Sequence, residues 1–375
     1  MKTSIFDTTA VELFFKEHKI PPFRLKQLYH EIYKLSVIDF EEMVVLPKEV
    51  RWLLSEHFEI ISLIPDQVLD SRESTKIGFQ MTDGNIIESV VMYHYHGFDG
   101  ERPHLNRITL CISTQVGCPV GCIFCVTGKL WFSKNLEYAH IMSQIIWINH
   151  YVKNRFGKRE DGEWRKVRNI VFMGMGEPLL NYEHMKSSII CMLDQQRLGL
   201  SKRHVTISTS GIIPGIERLI SDWIDVRLAL SLHAPNQQLR EQLIPTISKV
   251  YTLEKLMAVI DRYVEATNNR IFYEYIMIKD LTDTLPVAHQ LVTLLQGRLG
   301  HINLIPYNPN PAMPDLEESS MSQIYRFRNV LEEGGLTVTV RDNHGRDLKG
   351  ACGQLGYEKV KNGEVVIKTK RNIEE

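Results

Sequence analysis

The sequence predicts an α/β protein whose main part is a partial (β/α)6, TIM-like barrel, preceded by an N-terminal helical domain and a small β connector. Strand and helix patterns alternate regularly through residues 106–346, which is typical of parallel strands joined by helical crossovers. Short helical patterns fill residues 1–57 instead. The chain has 375 residues, 43% of them apolar, and is therefore long enough for one large domain and an accessory one.

The two segments before the barrel differ in periodicity. In residues 1–57, apolar side chains recur at intervals of three and four, which indicates short helices. In residues 58–105 the apolar pattern alternates, and Asp83 with Gly84 is a typical hairpin turn. We therefore expect a helical domain followed by a connecting β unit.

The predicted barrel repeats one strand and one helix six times, before a C-terminal segment at 347–375. The candidate strands are residues 107–113, 169–173, 203–208, 226–231, 271–277 and 301–305. The helical patterns lie near residues 136–152, 182–196, 213–221, 252–267, 285–298 and 320–333. Because functional residues of such barrels lie at the carboxyl ends of the strands, the loops there are the expected place for chemistry.

Five of these loops carry residues suited to chemistry. They are residues 118–125, 174–178, 208–211, 231–233 and 306–309. Since the carboxyl ends of parallel strands meet at one end of a barrel, the five loops predict a single site.

The first loop holds three cysteines, Cys118, Cys122 and Cys125, at a C-x-x-x-C-x-x-C spacing. Three thiolates on a four-iron cluster leave one iron open for an exogenous ligand. A structural zinc site is the alternative, but it needs a fourth Cys or His, and it usually contains paired C-x-x-C units. The spacing therefore favours a 4Fe-4S cluster with an exchangeable iron.

The second loop offers glycines and a carboxylate. Gly174 and Gly176 would let the backbone approach a bound molecule, and Glu177 would accept a cationic group. Next to an open iron, S-adenosylmethionine fits, because its amino and carboxylate groups can chelate that iron. Taken in isolation, the glycine pair could equally form an ordinary tight turn.

The remaining loops supply neutral hydrogen-bonding groups. Ser208, Ser231 and Asn308 suit a carboxylate, ribose hydroxyls and an adenine edge. Ser and Asn more commonly cap helices, so both roles stay open, and His233 is ambiguous in the same way.

The other cysteines have different surroundings. Alternation along the first strand places Cys111 on the face that we assign to the barrel interior. Cys191 lies in an apolar helix and is expected to be a buried structural residue. Cys352 lies among small residues near the C-terminus, and an accessible thiol there is a candidate nucleophile.

Composition limits the class of protein. The net charge of −1 gives no bulk attraction for nucleic acid, so phosphate binding must come from local basic patches such as residues 16–34 and 153–168. Each patch could equally be a solvated surface. The sequence shows no signal-peptide pattern and no apolar run of membrane-spanning length, and six cysteines do not suggest a secreted disulfide framework. We expect a soluble, cytoplasmic protein.

Several motifs together resemble the RlmN/Cfr family of radical S-adenosylmethionine (SAM) RNA adenine methyltransferases, over essentially the whole chain. The motifs are CPVGCIFCVTG at 118–128, FMGMGEPLLN at 172–181, STSG at 208–211, SLHAP at 231–235, NLIPYNP at 303–309 and ACGQL at 351–355. The resemblance implies a radical SAM barrel and an RNA-binding role for the helical domain. It also implies that SAM contacts Gly176, Glu177, Ser208, Ser231, Leu232, His233 and Asn308.

The resemblance further implies a two-stage mechanism. One SAM methylates Cys352 by displacement, and a second, bound at the cluster, yields a 5′-deoxyadenosyl radical that takes a hydrogen from this methyl. The methylene radical adds to adenine, giving a covalent protein–RNA adduct. Cys111 then resolves the adduct through a transient disulfide with Cys352, and Glu88 resembles the family's acidic proton acceptor.

The resemblance favours C2 of adenosine as the target, in 23S rRNA and next to the anticodon of tRNA. It implies an electron donor such as flavodoxin or ferredoxin, no membrane partner, and a monomer. Three alternatives stay open: a Cfr-like C8 methyltransferase, a metal-bearing RNA-binding protein without catalysis, and a different radical enzyme.

Overall fold

A computed structural model of the chain describes residues 2–96, 104–310, 313–342 and 344–356. Within them the helices are α1 Thr8–Glu17, α2 Pro22–Tyr29, α3 Lys48–His57, α4 Tyr138–Phe156, α5 Tyr182–Leu193, α6 Ile213–Ser221, α7 Gln237–Leu243, α8 Pro245–Val250, α9 Leu253–Thr267, α10 Leu285–Leu295 and α11 Met321–Glu333. The strands are β1 Thr3–Ser4, β2 Phe58–Glu59, β3 Ile64–Asp70, β4 Ser74–Gln80, β5 Ile86–His96, β6 His104–Cys111, β7 Gln115–Val116, β8 Lys134–Asn135, β9 Asn169–Phe172, β10 Val205–Thr209, β11 Arg227–Ser231, β12 Ile271–Met277, β13 Gly300–Pro306 and β14 Val338–Val340. A π-helical turn and 3-10 turns lie at His30–Lys34, Phe40–Glu42, Thr127–Lys129, Pro178–Asn181 and Lys202–His204.

One large sheet organises the molecule, in the order β14-β13-β12-β11-β10-β9-β6-β5-β4-β3. Its strands are parallel from β6 to β14, with helices in the connections, whereas β3 to β6 pair antiparallel. The predicted α/β fold with a parallel barrel sheet is confirmed. The antiparallel strands extend the same sheet, so the edge of the barrel is continuous with them.

The observed elements differ from the predicted ones mainly where segments are short. The strand β14 adds a seventh parallel strand in the described residues, and α7 and α8 add helices between β11 and α9. These elements have three, seven and six residues, which is too few for periodicity to be recognised. The predicted strand at 203–208 begins two residues later, because Lys202–His204 forms a 3-10 turn.

The central strands form because their residues are apolar on both faces, as parallel strands covered by helices require. In β12, six of the seven residues are buried. The exception to the apolar pattern is Glu274, which lies between Ser231 and Asn303 in the register of the neighbouring strands. The sheet thus holds a polar layer inside the barrel.

The N-terminal helices pack against the barrel at α4 and the end of α5. The Lys34 Nζ donates to the Gln195 carbonyl at 2.8 Å, and the Lys153 Nζ donates to the Leu35 carbonyl at 2.9 Å. The strand β1 pairs with β2, so the beginning and the end of the N-terminal helical segment lie side by side. In the part of the chain that is described, no helix is both long and apolar enough to cross a membrane.

The basic segment 153–168 is largely occupied by contacts within the protein. Arg155 forms an ion pair with Asp70. The Lys158 ammonium lies 5.1 Å from the Trp164 ring centroid, and a β-bridge joins the same two residues. These contacts favour a structural loop over a surface for RNA.

Candidate active site

A cavity of about 510 Å³ runs through the barrel and brings together residues that are far apart in the sequence. At the carboxyl ends of the strands it is lined by the candidate residues Cys111, Cys125 and Cys352, together with Glu274 and Arg341. Its size is within the range of small-molecule sites. The cavity therefore places the predicted carrier cysteine beside a predicted cluster ligand.

Glycines hold the cysteine loop in place. Gly117 has φ 72°, and a Cβ there would lie 2.0 Å from the Trp131 carbonyl oxygen. A Cβ on Gly128 would lie 2.9 Å from the Cys122 carbonyl oxygen. The amide of Ile123 donates to the Leu243 carbonyl at 3.0 Å. The loop is thus fixed by backbone packing that larger residues would prevent.

The three loop cysteines fit a cluster that supplies positive charge. Burial raises the pKa of each thiol, that of Cys118 to about 12, and neighbouring thiols raise the pKa of Cys118 and Cys122 further. Thiols crowded in this way become thiolates when iron binds them. No three His, Cys, Asp or Glu side chains in the described residues converge on a point suited to a single metal ion. A four-iron cluster binds each thiolate on a different iron, so its ligands need not converge.

Glu177 is buried beside the cysteine loop and organises the next strand end. Its Oε2 accepts hydrogen bonds from the amide and the hydroxyl of Ser210, both at 2.8 Å, and its Oε1 accepts from the Leu179 amide at 3.1 Å. The Thr209 side chain also hydrogen-bonds to this carboxylate, so its roughly four acceptor positions are all engaged. Burial raises the pKa of Glu177, and a ligand ammonium would offset that desolvation.

The glycines before Glu177 have a packing role that the sequence did not reveal. A Cβ on Gly174 would lie 2.6 Å from the Ile112 carbonyl group, and Gly176 has φ 103° with the Gln115 side chain 2.5 Å from its Cβ position. These residues let the loop after β9 lie against the segment after β6. Contact between Gly176 and a ligand stays a prediction.

His233 packs against the cysteine loop. Its Nδ1 accepts the Ile276 amide at 3.1 Å, and its ring lies edge-on to Phe124, with the centroids 4.8 Å apart. Burial, followed by the charge of Arg240, lowers the pKa of His233 to about 3. The ring is therefore neutral, and the hydrogen bond at Nδ1 leaves the proton on Nε2.

Asn308 contacts the carrier segment. Its Nδ2 donates to the Cys352 carbonyl at 3.1 Å. Its Oδ1 is buried without a hydrogen-bond partner in the described structure. Such an atom is costly unless a ligand satisfies it, which supports a binding role for Asn308.

The remaining predicted SAM residues lie at the ends of β10 and β11. Ser208 and Ser231 are half-buried and Leu232 is fully buried, and the Leu232 amide donates to the Glu274 carbonyl at 3.1 Å. The guanidinium of Arg240 joins the two strand ends by donating to the Ser210 and Ser231 carbonyls. Neither serine caps a helix through its side chain, so both hydroxyls are available to a ligand.

The two predicted redox partners face the same cavity. Cys111 and Cys352 are both free thiols. The surrounding protein desolvates both sulfurs and so raises the pKa of each, although Cys352 as a residue is exposed on the cavity wall. Arg341 opposes this effect at both thiols, and it lies 3.4 Å from the buried Glu274. Cys352 is solvent-exposed on the cavity wall, so the predicted accessibility of this thiol is confirmed, as is the burial of Cys191.

Glu88 contacts the carrier segment from the connector side. Its Oε2 accepts the Gly356 amide at 2.6 Å, and its Oε1 lies 3.5 Å from the Nζ of the buried Lys76. Glu88 is not among the described residues that line the cavity. In this arrangement the carboxylate holds the segment that carries Cys352.

Three charged residues of the site were not predicted from the sequence. Arg240, Glu274 and Arg341 are each largely enclosed by protein. Glu274 carried a usable signal, because it is a charged residue within an otherwise apolar strand pattern. Arg341 follows β14, a strand that the pattern did not predict.

Known proteins are similar to this chain over nearly its full length. The radical SAM superfamily model matches residues 112–289, and the model for the N-terminal domain of the ribosomal RNA large subunit methyltransferase matches residues 5–60. A protein of Enterococcus faecalis, named "Probable dual-specificity RNA methyltransferase RlmN", is 36% identical over 369 residues, covering 97% of this chain and 99% of that protein. The crystal structure of a radical SAM methyltransferase from Sphaerobacter thermophilus matches with a TM-score of 0.84 and 35% identity, covering 94% of this chain and 99% of that one. This chain therefore belongs to the RlmN family of radical SAM RNA methyltransferases.

Proposed function

We propose that this enzyme methylates C2 of adenosine in 23S rRNA and in tRNA, next to the anticodon, with Cys352 as the methyl carrier. The observation that carries this proposal is the shared cavity of Cys352, Cys111 and the cluster ligand Cys125. The dual RNA specificity in the name of the Enterococcus relative supports two RNA substrates.

The cofactors of the family are a 4Fe-4S cluster and SAM. We assign Cys118, Cys122 and Cys125 as the cluster ligands. Bound there together, the cluster and SAM supply a carbon-centred radical that can take a hydrogen atom from an unactivated methyl group. An aromatic C2 carbon is not nucleophilic, so a carrier that adds to it as a radical avoids the displacement route.

The residues that we assign to SAM lie at or just after the carboxyl ends of β9, β10, β11 and β13, and they are not among the described residues that line the cavity. Glu177 would attract the α-ammonium through its buried negative charge, with the ammonium replacing one of its present donors. The free Oδ1 of Asn308 would accept from the nucleoside. Gly176, Ser208, Ser231, Leu232 and His233 complete the proposed set.

The two cysteines have complementary tasks. The Cys352 thiolate receives a methyl group, and the methylene derived from it bonds to adenine. The adduct first formed is a radical, so one electron must leave it together with the C2 proton, and an oxidised iron–sulfur cluster is the class of acceptor required. The Cys111 thiolate then attacks the Cys352 sulfur, so that an S–S bond forms while the S–C bond breaks and its electron pair stays on carbon, which takes up a proton. A thiol reductant must supply two electrons to reduce the disulfide before the next turnover. The proton that leaves C2 goes to Glu88, which must release the Gly356 amide to accept it.

Mass spectrometry of nucleosides from RNA of cells lacking this protein tests the proposal. We expect 2-methyladenosine to disappear from 23S rRNA and from tRNA, and expression of the protein from a plasmid to restore it. Restoration of 8-methyladenosine alone would assign the enzyme to the Cfr-like alternative instead.

Arg341 gives a prediction about pH. Replacing it by Met removes the charge that lowers the pKa of Cys352, so this pKa rises further and less thiolate is present at a given pH. We expect the first methyl transfer to Cys352 to slow about tenfold at neutral pH. Its rate should recover as the pH rises.

The change is measured by the intact mass of the protein after incubation with SAM. Arg341→Lys keeps the positive charge and should retain most of the rate. A pH profile of Arg341→Met that coincides with that of the unsubstituted protein would contradict the role of Arg341.

The helical domain at 1–57 is the proposed RNA-binding accessory part, and its basic residues divide into two groups. Lys34 and Arg24 donate to backbone carbonyls of the protein. Lys16, Lys19 and Lys26 are exposed and form no ion pair within the described residues. The second group is therefore the proposed contact with RNA phosphates.

Replacing Lys16, Lys19 and Lys26 by Glu should weaken tRNA binding about tenfold or more and reduce its salt dependence, because fewer counterions are released. Filter binding at several salt concentrations measures both effects. The matched control replaces Lys158, Arg159 and Arg165 by Glu, because these side chains contact Trp164, Asp161 and the Leu105 carbonyl within the protein. Equal losses from both sets would indicate a general charge effect and contradict the assignment.

The other domain boundaries are also proposals: a β connector at 58–105, the barrel at 106–346 and the carrier segment at 347–375. We further propose a cytoplasmic monomer that receives electrons from a flavodoxin or ferredoxin.

A further inference from the structure

Three arginines lie at the end of the barrel cavity opposite Cys352. Arg203 precedes β10, Arg227 begins β11, and Arg107 lies in the first half of β6, and all three line the cavity. Because β6, β10 and β11 run parallel, these residues are brought together at the amino ends of their strands. The proposed methyl transfer does not use them.

These arginines lack acidic partners. Within the described residues, none of the three forms an ion pair or donates a hydrogen bond, and Arg227 only lies over the Phe272 ring, 5.5 Å from its centroid. The neighbouring carboxylate of Asp225 is occupied by Lys202 and Asn269. The positive charge at this end of the cavity is therefore not neutralised by the protein.

The charges are close enough to disfavour one another. Burial lowers the pKa of Arg227, and the charges of Arg203 and Arg107 lower it further. The pKa of His204 is lowered by burial and then by Arg203, Arg168, Arg227 and Arg107. Such a cluster is destabilising by itself, and an anion would relieve the repulsion.

We infer that this mouth of the barrel is a second binding site, for a compact phosphate-bearing anion such as diphosphate. Guanidinium groups offer paired donors that match phosphate oxygens, and the concave cavity encloses a small ligand better than a surface would. A substrate base must enter at the carboxyl end to reach Cys352. Arg107 precedes Cys111 by four residues on β6, and β10 and β11 have five residues each. About 13 to 16 Å therefore separates the arginines from the carboxyl end, where the base enters.

Calorimetric titration of the full-length protein with inorganic diphosphate tests this site. We expect saturable binding that weakens about tenfold or more in the double variant Arg203→Gln/Arg227→Gln, because two charge-assisted contacts are lost. Arg107→Gln should also weaken diphosphate binding, but by a smaller factor. Arg262→Gln removes an arginine that pairs with Glu217 elsewhere and should leave diphosphate affinity unchanged.

Two further measurements separate this site from the methylation site. The double variant should bind tRNA as the unsubstituted protein does, and its melting temperature should not fall, because like-charge repulsion is removed. A parallel loss of tRNA affinity would identify an RNA contact and overturn the assignment. The assignment would also be overturned if the protein bound diphosphate no more tightly than chloride or sulfate. It would be overturned as well if the double substitution left diphosphate affinity unchanged. None of these readouts depends on methylation, so the proposed function can fail independently.

Discussion

Cys352→Ala is expected to lower RNA methylation by three orders of magnitude or more, to the limit of detection. Without its sulfur, the proposed methyl carrier is lost. Cys111 cannot replace it, because that thiol is buried whereas Cys352 is exposed on the cavity wall. Transfer of radiolabelled methyl groups from SAM to RNA measures the loss.

The same variant should still bind and cleave SAM, because Cys118, Cys122 and Cys125 are unchanged. Formation of 5′-deoxyadenosine under reducing, anaerobic conditions is therefore the second readout. Cys191→Ala removes a free cysteine that is buried among aromatic residues outside the cavity, and it should keep RNA methylation. Methylation that persists in Cys352→Ala would rule out the carrier role.

The periodic part of the fold could be predicted from the sequence. The strand β12 and the helix α6 lie at the predicted residues, because each has a strong apolar pattern bounded by turn residues. The strand β14 was not predicted, because three residues are too few to show an alternating apolar pattern. Its pairing with β13 also depends on residues that are distant in the sequence. Elements that tertiary pairing alone stabilises leave little local signal.

Site residues that belong to a local sequence motif could be predicted. Contacts between site residues that are distant in the sequence could not, because only the fold brings those residues together. The cysteine loop is recognisable from its spacing, but the link between Glu88 and Gly356 joins residues 268 positions apart. From the sequence we expected the glycines of the second loop to let a bound molecule approach, and this stays a prediction. Within the described residues their close neighbours are Ile112 and Gln115. A sequence shows that a Cβ is absent, and only the structure shows which neighbour required that absence.

Cys111→Ala is expected to stop turnover after one bond to RNA has formed. The variant retains the Cys352 carrier and the cluster ligands, so the methylene can still add to adenine. It lacks the sulfur that displaces the Cys352 sulfur, and the S–C bond therefore cannot break. The protein should remain covalently attached to its substrate, with less than about one methyl group delivered per enzyme.

Denaturing gel electrophoresis of the reaction with labelled tRNA measures this attachment. A band of protein–RNA size should accumulate in Cys111→Ala and be absent from Cys111→Ala/Cys352→Ala, which has no carrier sulfur. Cys111→Ser keeps the size of the side chain without a sulfur, so it should trap the same adduct and exclude a packing defect as the cause. Multiple turnovers without an adduct would contradict the resolving role, since the S–C bond would then be broken by a group other than the thiol that shares the cavity with Cys352.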